Sequence, residues 1–370
     1  MTATATPSEQ TFSPSRLVWA RRRRGMAIAR LASRVGVERH AIAGYEAGEF
    51  APRPDRFRAI AQQLEFPTRF FFGQDIGEVL PERVSFRSRS TMAASARDRA
   101  LGSAALAISI SQWIAARYAL PELNLTDGRS VSDATTAAHA VRRRWDLGTA
   151  PIENIIDLLE GNGVRLYSLP ADAAAAGPFS FWHNERPYML LDMRKPGDEI
   201  LLDAARELGH LLLHRRISPA GRRVQQEASD FARAFLMPVT APHAETNGVL
   251  SNDRIAIDGR RWGMPLTVCA RRLHELGEIS DWQFRHLATA GANDAGSGYN
   301  MRLVPAILGA VFAALRARGI SRRTLARELH IYLEDVDGLV FGQATAQLHD
   351  EVSSEHRPVR LRPRLAIVKP

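Results

Sequence analysis

The chain has 370 residues, 45% of them hydrophobic and 24% charged, a balance that excludes a disordered or fibrous protein and allows two to four domains with ample core. Its formal charge of +9 rests almost wholly on arginine, since Lys195 and Lys369 are the only lysines; this suits a phosphate-bearing partner, although a base-composition bias of the genome gives the same usage. A single cysteine, Cys269, excludes an internal disulfide and a cysteine-based zinc site, so any metal must be held by histidine and carboxylate.

The first residues, M-T-A-T-A-T-P-S-E-Q, carry no basic-then-apolar signal pattern, which predicts retention in the cytoplasm. Ser15 to Arg24 reads as a helix with Leu17, Val18 and Ala20 inward and Arg21 to Arg24 following, and Gly25 ends it. Ala27 to Arg34 is a second helix. The tight turn Val35-Gly36-Val37 leads to a third, Glu38 to Glu46, and a loop from Gly48 to Pro54 leads to a fourth, Asp55 to Leu64. Helix, tight turn, helix, with Ile42 and Tyr45 inward, is the arrangement that presents its third helix to the DNA major groove. The ordered run L-A-S-R-V-G-V-E-R-H-A-I-A-G-Y-E-A-G-E-F-A-P-R-P resembles the XRE, or lambda-repressor-like, DNA-binding family, which implies double-stranded DNA as a partner. Arg39, His40 and Ala43 are then the candidates to read bases, while Arg30, Arg34 and Arg21 to Arg24 are expected nearer the DNA backbone. Glu38 departs from the family's Ser or Thr at the start of the recognition helix, and an acid there suits the helix dipole better than a phosphate. A merely solvated basic face is the alternative. The aromatics of Phe66 to Gly73 are expected to pack beneath this domain.

Met92 to Tyr118 is a long Ala-rich helical region, read as a connecting or dimerising segment because symmetric DNA half-sites favour dimers. Ser103, Ser109, Ser111, Gln112 and Arg117 interrupt its apolar stretch, so a packed helix is expected rather than a membrane span. Pro121 to Ser132 reads as a linker. Asp133 to Trp145 and Ile152 to Asn162 follow as amphipathic helices. Val164 to Leu169, Phe179 to Trp182 and Tyr188 to Leu191 are expected strands of a small antiparallel sheet, with Trp182 and His183 lining a cleft or packing a sheet edge.

The stretch Asp203 to His214, D-A-A-R-E-L-G-H-L-L-L-H, nearly spells the zinc-peptidase helix H-E-x-x-H, in which two histidines four apart bind the metal and the glutamate polarises its water. Glu207 stands in the general-base place and His210 in that of the second ligand. Arg206 replaces the first histidine. Q-E-A-S-D-F-A-R-A-F-L-M-P offers Glu227 as a third ligand, on a helix that buries Ala228, Phe231, Phe235 and Leu236 and is stopped by Pro238. Together the two segments resemble the ImmA/IrrE family of metallopeptidase domains, whose second segment supplies a zinc-binding glutamate. A guanidinium has no lone pair to give, so zinc, though possible, is doubtful and proteolysis is expected to be absent. His214 is a possible substitute ligand, but Leu211 then stands where a base is needed. Arg206 is expected to pair with Glu227 or Glu207. The stretch His274-Glu275-Leu276-Gly277-Glu278 begins like the motif but reads as a helix end with Gly277 as cap.

Asp253 to Trp262, Leu266 to Leu276 and a helix capped by Ser280 follow. Met301 to Phe341 repeats a helix-turn-helix pattern, but Glu334, Asp335 and Asp337 would repel phosphate, so it reads as an interaction module. A basic, Pro-interrupted tail ends the chain. The expected fold is mainly α and multidomain: a helix-turn-helix bundle over 1–75, a connecting helical segment over 76–132, an α+β zincin-like domain over 133–245, a helical extension over 246–296, a C-terminal module over 297–345 and a tail over 346–370. The function expected is a DNA-binding transcriptional regulator, acting as a homodimer, with a degenerate peptidase-like sensing or scaffold domain. The competing readings are an active zinc endopeptidase that cleaves a helix-turn-helix repressor or itself, and a prophage or toxin–antitoxin interaction protein.

Overall fold

The computed structural model describes residues 11–73, 75–76, 79–87, 92–125, 133–215, 217, 221–238, 252–290, 305–340 and 366–367. Most of the expected tail, and the second half of the expected linker, lie outside these residues.

Four helices form the N-terminal bundle: α1 (Pro14–Arg23), α2 (Ile28–Val35), α3 (Arg39–Ala47) and α4 (Pro54–Leu64). Their ends follow local chemistry. Ser13 caps α1 by accepting from Arg16 N, and α2 stops at Gly36, whose φ of +69° costs glycine no Cβ clash. Leu17, Leu31, Ile42, Ile60 and Leu64 are fully buried, and Phe66, Phe70 and Phe71 floor the bundle.

Helix α5 (Ala94–Ala115) is the helical region expected to connect or dimerise. It is enclosed: Ala100, Leu101, Ala104, Leu106, Ile108, Ile110 and Ile114 are all buried although they point around the helix. It crosses α1 at Gly102, where an added Cβ would come within 2.5 Å of the Arg23 Cα. The two backbones touch only because that residue is glycine.

Strand β1 (Tyr118–Ala119) follows, then α6 (Ala134–Arg144), α7 (Ile155–Gly161), β2 (Arg165–Ser168), β3 (Phe179–His183) and β4 (Arg186–Leu191). The three later strands form a sheet of order β2-β4-β3. It is mixed rather than wholly antiparallel, because β2 runs parallel to β4 while β3 joins β4 through a tight turn at Asn184 and Glu185, both with positive φ. Alternate residues face opposite ways. Tyr167, Phe179, Phe181, Tyr188 and Leu190 enter one core, and Leu166, Met189 and Leu191 the other.

The second core is closed by α8 (Gly197–Leu213), α9 (Arg222–Leu236), α10 (Asn252–Trp262), α11 (Leu266–Glu275) and α12 (Asp281–Ala290). The first continues through α13 (Ala306–Ala317), α14 (Arg322–Leu329) and α15 (Leu333–Asp337) into α5 and the N-terminal bundle. The bundle therefore shares one core with the sheet and the C-terminal module. Polar contacts lock it there: Arg23 reaches Asp172 at 2.5 Å, Arg24 donates to Asp335 at 2.9 Å, and Trp113 of α5 and Arg117 just beyond it donate to Glu328 at 2.7 and 2.6 Å. The carboxylate of Glu160 accepts from Ile307 N at 2.9 Å and so caps α13. Strand β5 (Ala366–Ile367) of the expected tail pairs antiparallel with β1.

Candidate functional site

Ile42, Gly44 and Tyr45 turn the inner face of α3 into the bundle, which leaves Arg39, His40 and Ala43 exposed on the outer face. Arg30 and Arg34 of α2 are exposed beside them. These five positions are where a major groove and its phosphates would be met. Arg21, Arg23 and Arg24 are not. Arg21 is buried in a two-pronged pair with Glu46 at 2.5 and 2.9 Å and donates to Met26 O, while Arg23 and Arg24 are turned inward to Asp172 and Asp335. The expectation that this arginine run lies against DNA is thereby corrected for Arg21, Arg23 and Arg24, whose guanidinium groups find carboxylates inside the molecule.

Helices α8 and α9 pack so closely that a Cβ on Gly209 would lie 3.0 Å from the Phe231 ring. This approach sets His210 of α8 and His214, its C-cap, against Glu227 of α9. His210 Nδ1 lies 2.9 Å from His214 Nδ1, and His214 Nε2 lies 3.0 Å from Glu227 Oε2. In the tautomer that carries a proton on His214 Nε2, that N–H donates to the Glu227 carboxylate. His214 Nδ1 then accepts from His210 Nδ1–H, and the Gln225 side chain also hydrogen-bonds the His210 ring. Burial, then the neighbouring His214, pushes His210 down to about 3, with Gln225 opposing. Burial also lowers His214, against the pull of Glu227.

Arg206, one turn before His210, does not pair with Glu227 or Glu207. Its Nη1 donates to Asp203 on its own helix at 3.2 Å, and Lys195 holds the other oxygen of Asp203 at 2.6 Å. The expected partners are taken: Glu227 by His214 and, at 3.5 Å, Arg223; Glu207 by two serines. Ser85 Oγ donates to Glu207 Oε2 at 2.5 Å and Ser180 Oγ to the same oxygen at 2.8 Å. Glu207 is 4% exposed, and desolvation pushes it up to about 8 despite these two donors. The space left between Ser85, Trp182, His210, His214 and Arg215 is about 30 Å³, room for one or two waters. Trp182 does line this space; its indole N–H donates to Leu211 O at 3.0 Å, and Arg215 lies over its ring.

Residues 17–71 match the helix-turn-helix family model, and residues 159–274 match that of the IrrE N-terminal-like domain. The chain joins a helix-turn-helix domain to an IrrE-like domain. No curated protein and no solved structure matched it.

An IrrE-like domain implies zinc, and the side chains present do not fit the ion. The position of the first histidine holds a guanidinium. The two histidines are bonded to each other rather than splayed around a common point. Among the described residues no three His, Cys, Asp or Glu side chains are grouped so as to hold a metal. The second motif-like stretch is structural: Gly277 at φ +75° ends α11, His274 meets Asp281 at 2.6 Å and Glu275 meets Arg233 at 2.5 Å. Sequence reading missed Ser85 and Ser180. They stand 122 and 27 residues from Glu207, and no spacing rule links them to it. A separate cavity of about 390 Å³ opens between α1 and α5, walled by Val18, Trp19, Leu101 and Ala105 with Arg22 and Asp75.

Proposed function

We propose that the protein is a DNA-binding transcriptional regulator whose IrrE-like domain has lost metal-dependent hydrolysis and serves as a sensing or scaffold module. The observation that carries the reading is the pairing of Arg206 with Asp203 at the place of a metal ligand, beside a Glu207 whose carboxyl is already taken by Ser85 and Ser180. A general base must reach a water and accept its proton, and this carboxyl faces two hydroxyl donors instead. The helix-turn-helix domain supports the DNA-binding half, with Arg39, His40 and Ala43 outward. Reading a symmetric operator calls for two copies, and their contact surface is then not the enclosed α5. Among the described residues no helix is long and apolar enough to cross a membrane.

The test is metal analysis of the purified protein together with selection of bound DNA from genomic fragments at physiological salt. Substoichiometric zinc and one enriched site are expected. Stoichiometric zinc, with chelator-sensitive cleavage of a helix-turn-helix repressor that disappears in Glu207→Gln, would overturn the proposal in favour of a working endopeptidase.

A further inference from the structure

The cleft of the IrrE-like domain is filled by the protein's own chain. Strand β3 is an edge of the three-stranded sheet, with β4 on one side. On the other side Ser85 N donates to Ser180 O at 3.1 Å, and Ser180 N donates to Ser85 Oγ at 2.7 Å. Phe86 N bonds back to Val84 O at 2.9 Å, so the chain makes a tight turn with Ser85 at its tip. That tip reaches Glu207 at 2.5 Å. Val84, Ser85 and Phe86 are at most 1% exposed, and the Phe86 ring lies 5.1 Å from that of Phe179, whereas Arg83 and Arg87 on either side are exposed.

An edge strand offers unpaired backbone donors and acceptors, which makes it a seat for a peptide; side-chain pockets beside it then select sequence. Here the pockets select a hydroxyl between two apolar residues. A hydroxyl is small and neutral and can both donate to Glu207 and accept from Ser180 N. Residues 83–87 also join the DNA-binding domain to α5, so what occupies this seat bears on how the two are held.

From these contacts we infer that the IrrE-like domain is a peptide-binding module for the pattern apolar-Ser/Thr-apolar, occupied at rest by residues 84–86 of its own chain and open to an external peptide of the same pattern. The inference rests on the reading that this domain holds rather than cuts.

The probe is a fluorescent peptide of residues 79–87, V-L-P-E-R-V-S-F-R, followed by anisotropy, with hydrogen exchange on the full-length protein. In the unmodified protein the amides of residues 85 and 86 should exchange at least 100-fold more slowly than unstructured chain. Ser85→Ala/Phe86→Ala should abolish that protection and bind the probe at least ten-fold tighter than the unmodified protein does, and a probe with alanine for serine should not bind. Unprotected amides in the unmodified protein, or a folded double variant that binds no better, overturns the inference. Should the double variant not fold, millimolar unlabelled peptide added to the unmodified protein decides the matter: faster exchange at residues 85 and 86 with α9 unchanged supports the inference, and no change overturns it. Mass analysis of the recovered probe keeps the two readings apart, since a cut peptide overturns the loss of hydrolysis while an unbound one overturns only this inference.

Discussion

Asp335, on the last helix of the C-terminal module, accepts hydrogen bonds at 2.9 Å from both terminal nitrogens of Arg24, 311 residues earlier in the DNA-binding domain. Arg23 reaches the same carboxylate at 3.2 Å, and Asp335 is 3% exposed. Of the acids that look from sequence like a device for avoiding DNA, Asp335 is an internal counter-charge for Arg23 and Arg24, while Asp337 pairs with Arg322 within the module.

Removing one member of such a buried cluster leaves the others desolvated and unpaired, which costs about 3 to 5 kcal/mol. Asp335→Ala should therefore lower the unfolding free energy by about 3 kcal/mol in urea titration. A loss under about 0.5 kcal/mol, the size of an ordinary surface change, would show the cluster to be idle. Deletion of residues 297–370, harmless to operator affinity if the module were independent, should instead expose the apolar faces that Val311, Phe312 and Leu339 bury and yield aggregated protein on gel filtration.

Arginines that face outward and those that face inward should separate in DNA binding. Arg39→Ala should weaken the cognate site by about 1 to 3 kcal/mol and relax its sequence preference, whereas Arg34→Ala should weaken all sites alike and lower the salt slope by about one. Arg24→Ala should lower stability but leave that slope unchanged. A reduced slope in Arg24→Ala, measured by anisotropy where the variant is folded, would put α1 against DNA after all.

Arg206→His restores the missing imidazole, and bound zinc should rise at least ten-fold by metal analysis after dialysis. Hydrolysis should not follow, because Glu207 stays covered by Ser85 and Ser180. Cleavage activity in Arg206→His alone would show that these serines leave the glutamate free to act as a base.

Buried carboxyls give the stability a pH dependence of definite sign. Glu207 and Glu160 are each pushed up to about 8, chiefly by desolvation, so the folded state keeps protons that the unfolded chain releases above about 4.5. Stability from this source must fall as pH rises from about 4.5 to about 8. His210, pushed down to about 3, works the other way: the unfolded chain binds its proton below about 6.5, so stability falls as pH drops from there towards 3. Glu207→Gln keeps the shape and removes the charge, and should gain on the order of a few kcal/mol at pH 8 with little change at pH 5. An equal effect at both pH values, by denaturant titration, would exclude a raised Glu207.

The sequence by itself determined what neighbours in the chain can decide. Helices α1 to α4 begin and end within about two residues of the expected places, because caps, glycines and the 3.6-residue period act over one or two turns. The spacing of Arg206, Glu207 and His210 also fixed which position of the motif is altered. Only the tertiary structure decided what these groups touch. An arginine serves a phosphate or a carboxylate equally well, and which it meets depends on the surface brought against it; Arg23 and Arg24 meet Asp335 because α15 packs there, and Arg206 meets Asp203 because Glu207 and Glu227 already have partners. In the same way what α5 packs against was decided by the elements around it, and Ser85 gained its role only when the chain before α5 was laid along β3, since contacts across a hundred residues depend on packing rather than on any local pattern.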